Sequence, residues 1–243
     1  MNTVIGSDRA IARTVINRVA EARDLAPPWP ETGIDIPKWL ATADVSDWGP
    51  EEIGAARRRL ADAAEIKQQG MDYTPKRLAD FTTRFAFEAA LENQIIGDAP
   101  EDVLRVVAID PTCGAGIFLV AAARWIAARY AGRLATQAGL EGGAPAWAVR
   151  KVLPFVATEC VFGVDNDPIA VDLARSVLWL EMDGRVPFDF MDRNVIVGNV
   201  LEKDLPPALV DRYLAAGVTP PEIGVDSAPT PDNDQLDLFG GAA

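Results

Sequence analysis

Two carboxylates and a pair of glycines are the first residues in this chain whose types and spacing could do chemistry. Asp110 opens the run Asp110-Pro111-Thr112-Cys113-Gly114-Ala115-Gly116, and Asp165 ends the apolar run Val161-Phe162-Gly163-Val164. Gly114 and Gly116 let the backbone turn tightly and approach a ligand with no Cβ in the way. A helix expected directly after them leaves its first N–H groups unpaired at the same spot. The spacing D-P-x-x-G-x-G is not G-x-G-x-x-G, so the pyrophosphate fingerprint is not met. An acid ahead of the turn repels a phosphate and pairs with a cationic amino-acid end. Asp165, between a strand and a helix, stands where a nucleoside ribose is held in open α/β sheets. Its separation from the turn exceeds the roughly twenty residues of a compact dinucleotide unit, and an insertion over about 130–158 takes up the excess.

The elements that must position these groups alternate strand and helix, the pattern of a parallel α/β sheet. Val103, Val106, Val107 and Ile109 read as the first strand. After the turn, Ile117, Val120, Ala121, Trp125 and Ala128 mark the buried face of a helix, and Ile169, Ala170, Leu173, Ala174 and Val177 do so after the second strand. Upstream the chain reads as helical. Ser7 caps a helix carrying Ile11, Val15, Ile16 and Val19, which Pro27-Pro28-Trp29-Pro30 ends, and shorter helices follow near 37–41 and over 50–69, the latter closed by Gly70. Thr74 and Pro75 read as N-cap and first position of a helix through Phe85 and Ala89 toward Ile96, with Gly97 past its end. A last short helix is expected near 207–216.

Composition bounds what these elements can do. The 243 residues, 49% hydrophobic, suffice for one α/β domain with an appended helical segment. Residues 1–70 read as the N-terminal helical segment, 71–216 as the cofactor-binding domain and 217–243 as a flexible tail rich in Pro, Asp and Thr. Cys113 and Cys160 form no C-x-x-C pair and histidine is absent, which sets aside the usual zinc sites and histidine acid–base catalysis; no metal is expected. No run approaches the roughly 18 apolar residues of a membrane span, and no charged-then-apolar leader opens the chain, so a cytoplasmic protein is expected. The net charge of −13 argues against a chain that grips duplex DNA alone. Arg57-Arg58-Arg59 and Lys76-Arg77 are local exceptions, read first as solvated helix faces.

Four segments in one order resemble the N6-adenine DNA methyltransferases, in the branch of type I modification subunits and fused type IIG restriction-modification enzymes. The run from Asp110 to Val120 is similar to that family's loop for S-adenosylmethionine, the cofactor to which the acid before the turn also points. Gly70-Met71-Asp72-Tyr73-Thr74-Pro75 resembles the G-x-x-Y/F-T-P segment that lies against the methionine part. Phe162-Gly163-Val164-Asp165-Asn166 resembles the strand whose acid binds the ribose hydroxyls, and Asn194-Val195-Ile196-Val197-Gly198-Asn199-Val200-Leu201 the strand beside the adenine ring. The resemblance spans about 65–205 and implies a Rossmann-like methyltransferase sheet. It implies a cofactor site of Tyr73, Thr74, Pro75, Asp110, Pro111, Cys113, Gly114, Ala115, Gly116, Asp165, Asn166 and Asn199.

The same resemblance exposes a gap. These enzymes hold the extruded adenine with an Asn/Asp-Pro-Pro-aromatic loop, whose acceptors orient the amino nitrogen for in-line transfer. Pro27-Pro28, Pro206-Pro207 and Pro220-Pro221 all lack the preceding Asn or Asp. Val195-Ile196-Val197-Gly198-Asn199 is also how the approach to that loop is spelled, which leaves Asn199 as a degenerate catalytic candidate; Leu201 favours the adenine-side reading. The implied activity is an S-adenosylmethionine-binding DNA adenine-N6 methyltransferase, or its cofactor-binding subunit, needing a second polypeptide for the catalytic loop and target recognition. The tail segment Gln235-Leu236-Asp237-Leu238-Phe239 resembles the peptide by which bacterial proteins attach to the beta sliding clamp. The alternative is therefore a non-catalytic methyltransferase-like interaction protein tethered to that clamp. A methyltransferase of small molecules or proteins has less in the sequence to support it.

Overall fold

A computed structural model describes residues 2–61, 66–67, 74–141 and 143–215. Tyr73 and the 217–243 tail, including Gln235, Leu236, Asp237, Leu238 and Phe239, lie outside the described residues. The elements are α1 (Asn2–Glu21), α2 (Lys38–Ala41), α3 (Pro50–Leu60), α4 (Lys76–Glu92), α5 (Pro100–Val103), β1 (Ala108–Asp110), α6 (Ile117–Gln137), α7 (Ala146–Glu159), β2 (Val161–Asp165), α8 (Pro168–Glu181), β3 (Val195–Val197) and α9 (Pro207–Ala215). Short 3₁₀ turns at Phe188–Arg193 and Val200–Glu202 flank β3. The result is a mixed α/β fold, mostly helical.

The sheet is small, parallel and ordered β1-β2-β3, with Ala108 opposite Val161, Asp110 opposite Gly163 and Asp165 opposite Val197. Among the described residues β1 pairs on one side only, so its other edge is open. One face carries α6 and α8. A Cβ on Gly163 would stand 2.8 Å from Leu119 Cδ1 and 3.1 Å from Cys113 Sγ, so α6 can lie this close only over a glycine. That face joins the main core, which gathers Leu119, Ala123, Ile126, Val161, Leu173, Val177 and Val195 with Ile16, Val19 and Ile53 from α1 and α3. Phe162 and Val164, on the opposite face, are buried outside that cluster, and Ile109 beside Phe162 is exposed.

The N-terminal helices are joined to the sheet layer by charge as well as by apolar contact. Arg9 donates to both oxygens of buried Asp172 on α8, at 2.6 and 2.9 Å, and Arg13 adds a third hydrogen bond at 2.8 Å. Burial alone would raise the Asp172 carboxyl, but the two guanidinium groups outweigh it and hold the group below the ordinary carboxylate range.

Several expected boundaries shift. Val103 closes α5, whose first turn is built by Pro100, Glu101 and Asp102; Val106 and Val107 approach the sheet unpaired, and pairing begins only where Ala108 N–H donates to Cys160 O. The first helix starts at Asn2, so Ser7 lies inside it rather than at its cap. Gly6 alone does not stop a helix, since glycine costs it only about 1 kcal/mol. Pro75, with ψ 139°, is the N-cap of α4 in place of Thr74, and that helix ends at Glu92 because Gln94 takes a positive φ. α3 stops at Leu60, where Ala61 turns extended. The 130–158 insertion holds the end of α6 and all but the last residue of α7, whose hairpin packing on α6 was not read from the sequence. Ala128 faces outward, while Leu119, Ile126 and Ala127 carry the buried face of α6.

Candidate functional site

The glycine turn forms as the sequence pattern predicts, but its two glycines do different work. Both have positive φ, +51° at Gly114 and +83° at Gly116. A Cβ on Gly114 would meet nothing within 4 Å, whereas one on Gly116 would stand 3.0 Å from Ala174 Cα and from Val177 Cγ2. Gly114 therefore leaves space open, and Gly116 lets the start of α6 press against α8.

Asp165 builds the turn from the neighbouring strand. Its Oδ2 accepts from Gly114 N–H at 2.8 Å and its Oδ1 from Asp167 N–H at 2.9 Å. One carboxylate thus fixes both the glycine turn and the entry to α8. Asp167 continues the chain of bonds, its Oδ1 capping α8 through Ile169 N–H at 2.8 Å ahead of Pro168 in the first helical position. Asp110 Oδ1 accepts from Thr112 N–H at 3.1 Å, closing the turn after β1. Burial raises the Asp110 carboxyl above its ordinary value; the Thr112 bond opposes that, and the nearby Asp165 charge adds to it. Cys113 is buried and its thiol is pushed up well above the ordinary range, first by burial and then by the Asp165 and Asp110 charges, so it is a packing residue and not a nucleophile.

A cavity of about 160 Å³ opens beside the turn. Its walls come from Thr112 to Ala115, from Ile117 and Phe118 of α6, from Asp167, Ala170 and Leu173 at the start of α8, and from Thr74. Across from these stand Gly54, Arg57 and Arg58 of α3. Arg57 is 6% exposed, with Nη2 at 3.6 Å from Asp167 Oδ2, which corrects the expectation of a solvated face for that residue, while Arg58 and Arg59 are exposed as expected. It shares the inward side of α3 with Ile53 and Ala56, at i, i+3 and i+4 spacing, and that spacing was the signal in the sequence. Asp167 was missed as well, although an Asp before Pro168 at a helix start announces an N-cap. The arginines of α3 and, across the cavity, the start of α8 attract an anionic group, while the Asp110–Asp165 pair at the strand ends attracts a cationic one.

The expected site residues divide accordingly. Thr74, Cys113, Gly114 and Ala115 line the cavity. Pro75 lies next to Thr74, Pro111 and Asn166 are exposed at their turns, and Asp110, Asp165 and Gly116 stand behind the wall and shape it. Asn199 is not brought to the cavity. It follows β3, two strands from β1, and its side chain is engaged in its own turn: Oδ1 accepts from Leu201 N–H at 3.0 Å, and Nδ2 donates to Glu202 Oε1 at 3.1 Å. Among the described residues no group of three or more His, Cys, Asp or Glu is placed to hold a metal ion, and no helix is long and apolar enough to cross a membrane. No protein-family model matches this chain, and neither a curated protein nor a solved structure matches it.

Proposed function

We propose that the chain binds S-adenosylmethionine and serves as a DNA adenine-N6 methyltransferase, or as the cofactor-binding subunit of one, of restriction-modification type. The observation that carries this reading is the cavity at the carboxyl ends of β1 and β2, between the open side of Gly114 and the cap of α8. Ligands of open α/β sheets are held in that position. The residues present fit the cofactor in chemistry: Arg57, Arg58 and Thr74 suit its carboxylate, Ile117, Phe118 and Leu173 its apolar parts, and the Asp110–Asp165 pair its positive charge. Asp165, with one backbone bond on each oxygen, keeps lone pairs that could accept from the ribose hydroxyls. When bound, the cofactor supplies the transferable methyl group; the chain's own residues bind and orient it and keep water away.

Transfer to adenine needs an acceptor loop that the sequence does not spell, so the catalytic form would pair this chain with a second polypeptide. The open edge of β1 offers such a partner a place beside the cavity. Calorimetric titration with S-adenosylmethionine tests the reading. Binding heat should be measurable for the natural chain and fall at least tenfold in affinity for Asp165→Asn, which can accept at only one side-chain oxygen. Absence of heat for the natural chain refutes the proposal.

The second reading, a non-catalytic protein tethered to the sliding clamp, is favoured by the five-residue match at Gln235 to Phe239 together with the missing acceptor loop. A Gln235→Ala, Phe239→Ala double variant should lose capture by purified clamp, and unchanged capture removes this reading.

A further inference from the structure

The outward side of α4 carries a run of exposed large apolar side chains. Of its seventeen residues only Ala79 and Thr83 are buried, against α6, while Leu78, Phe81 and Phe85 are 53%, 65% and 68% exposed. The Phe81 and Phe85 rings lie within 18° of parallel with centroids 6.3 Å apart. Two exposed, near-parallel rings offer flat apolar faces on which a nucleobase can stack.

The charges on this side select an anion. Arg77 and Arg84 are exposed and, among the described residues, enter none of the molecule's ion pairs, while Lys76 pairs with Asp80. Arg77, Phe81, Arg84 and Phe85 recur at i, i+4, i+7 and i+8, along one flank of the helix. The polarity also has a direction. The basic part is the half of α4 that begins beside the cavity at Thr74, and Glu88 and Glu92 close the far end. From Lys76 to Phe85 the helix rises about 14 Å.

We propose that this flank of α4 is a track for single-stranded DNA leading to the cavity, with Phe81 and Phe85 stacking on one base and Arg77 and Arg84 holding the adjoining phosphates. The proposal rests on the methyltransferase reading for its choice of DNA, and it places the nucleic acid that the acidic chain as a whole does not explain. An apolar stripe alone would suit a protein helix equally well; the near-parallel exposed rings and the two exposed guanidinium groups beside them favour a polyanion with flat bases.

Fluorescence anisotropy with a short labelled oligodeoxynucleotide, single-stranded and as duplex, tests this on the full chain. The single strand should bind more tightly than the duplex. Phe81→Ala with Phe85→Ala should weaken the single strand roughly tenfold, the scale of one lost base–aromatic stack, while Phe81→Tyr with Phe85→Tyr should restore it. Arg77→Ala with Arg84→Ala should weaken it and lower the slope of log affinity against log salt by about 1.4, two single-strand phosphates. Because all four side chains are exposed, thermal midpoints should not move. Affinity unchanged in both alanine pairs overturns the track, and so does self-association of the natural chain that the phenylalanine pair abolishes. Titration of the same preparations with S-adenosylmethionine separates the two proposals: cofactor binding with strand affinity indifferent to the substitutions refutes the track alone, whereas no cofactor heat with substitution-sensitive strand binding refutes the cofactor reading alone.

Discussion

Asp172 and Asp110 are both withdrawn from water, yet the fold treats them in opposite ways. Asp172 is met by Arg9 and Arg13 from another helix, and its carboxyl is held low. Asp110 has one backbone N–H from Thr112 and a second carboxylate, Asp165, nearby, and its carboxyl is raised. The first acid joins α1 to α8 and is fully compensated within the chain. The second, at the mouth of a parallel sheet, is left with uncompensated negative charge, which is the condition a cationic ligand would relieve. The difference separates an acid whose charge is compensated within the fold from one whose charge is not.

The largest effect expected from breaking this contrast is at Asp172. Asp172→Asn leaves Arg9 and Arg13 facing a neutral amide at the α1–α8 contact and should cost about 3 kcal/mol, the lower end for removing one partner of a buried ion pair because both arginines keep some solvent. Urea unfolding monitored by circular dichroism measures it. A loss within the usual half kcal/mol of a surface substitution would show that α1 is held by apolar packing alone.

Gly116 and Gly114 repeat the contrast two residues apart. Gly116→Ala adds a left-handed alanine and a clash with backbone and side-chain atoms of α8, so a loss of about 2–4 kcal/mol is expected. Gly114→Ala carries only the left-handed strain, about 1 kcal/mol, because its methyl meets open space beside the cavity. The order should reverse for the ligand: per unit of stability lost, Gly114→Ala should weaken S-adenosylmethionine more. Equal stability losses in the two variants would dissolve the distinction between packing glycine and site glycine.

What was legible in the sequence was what depends on local pattern. The glycine turn, the strand ending at Asp165, the strand after Asn194 and the buried face of α8 follow from alternation, caps and helical spacing, and all stand in the structure. What was not legible depends on contacts between distant segments. Arg57 reads as surface in the context of Arg58 and Arg59, and only the approach of α3 to α8 buries it against Asp167. The α7 hairpin was hidden because Pro145 and Pro154 suggest a loop, although Pro145 is an N-cap and α7 accommodates Pro154 within it. Asp165 was expected to face a ligand. Its bond to Asp167 N–H is local, but its bond to Gly114 N–H arises only when two strands lie side by side, 51 residues apart.

The smallest predicted effect sharpens the contrast most, because it concerns sign. A lowered acid gives stability that is complete above its unfolded value, about pH 3.9 for aspartate, and that is lost as pH falls through the folded value; this is the behaviour expected of Asp172. A raised acid binds its proton more tightly in the folded state, so stability declines as pH rises from about 3.9 to the folded value and is constant beyond it; this is the behaviour expected of Asp110. Asp110→Asn removes that decline. At neutral pH the variant should be as stable as the natural chain or slightly more so, with weaker binding of S-adenosylmethionine, and the two proteins should converge in stability as the pH is lowered toward 4. Unfolding curves at matched ionic strength across that range provide the check. A variant less stable at neutral pH and equally able to bind the cofactor would make Asp110 a second structural acid like Asp172 and would erase the contrast between the two.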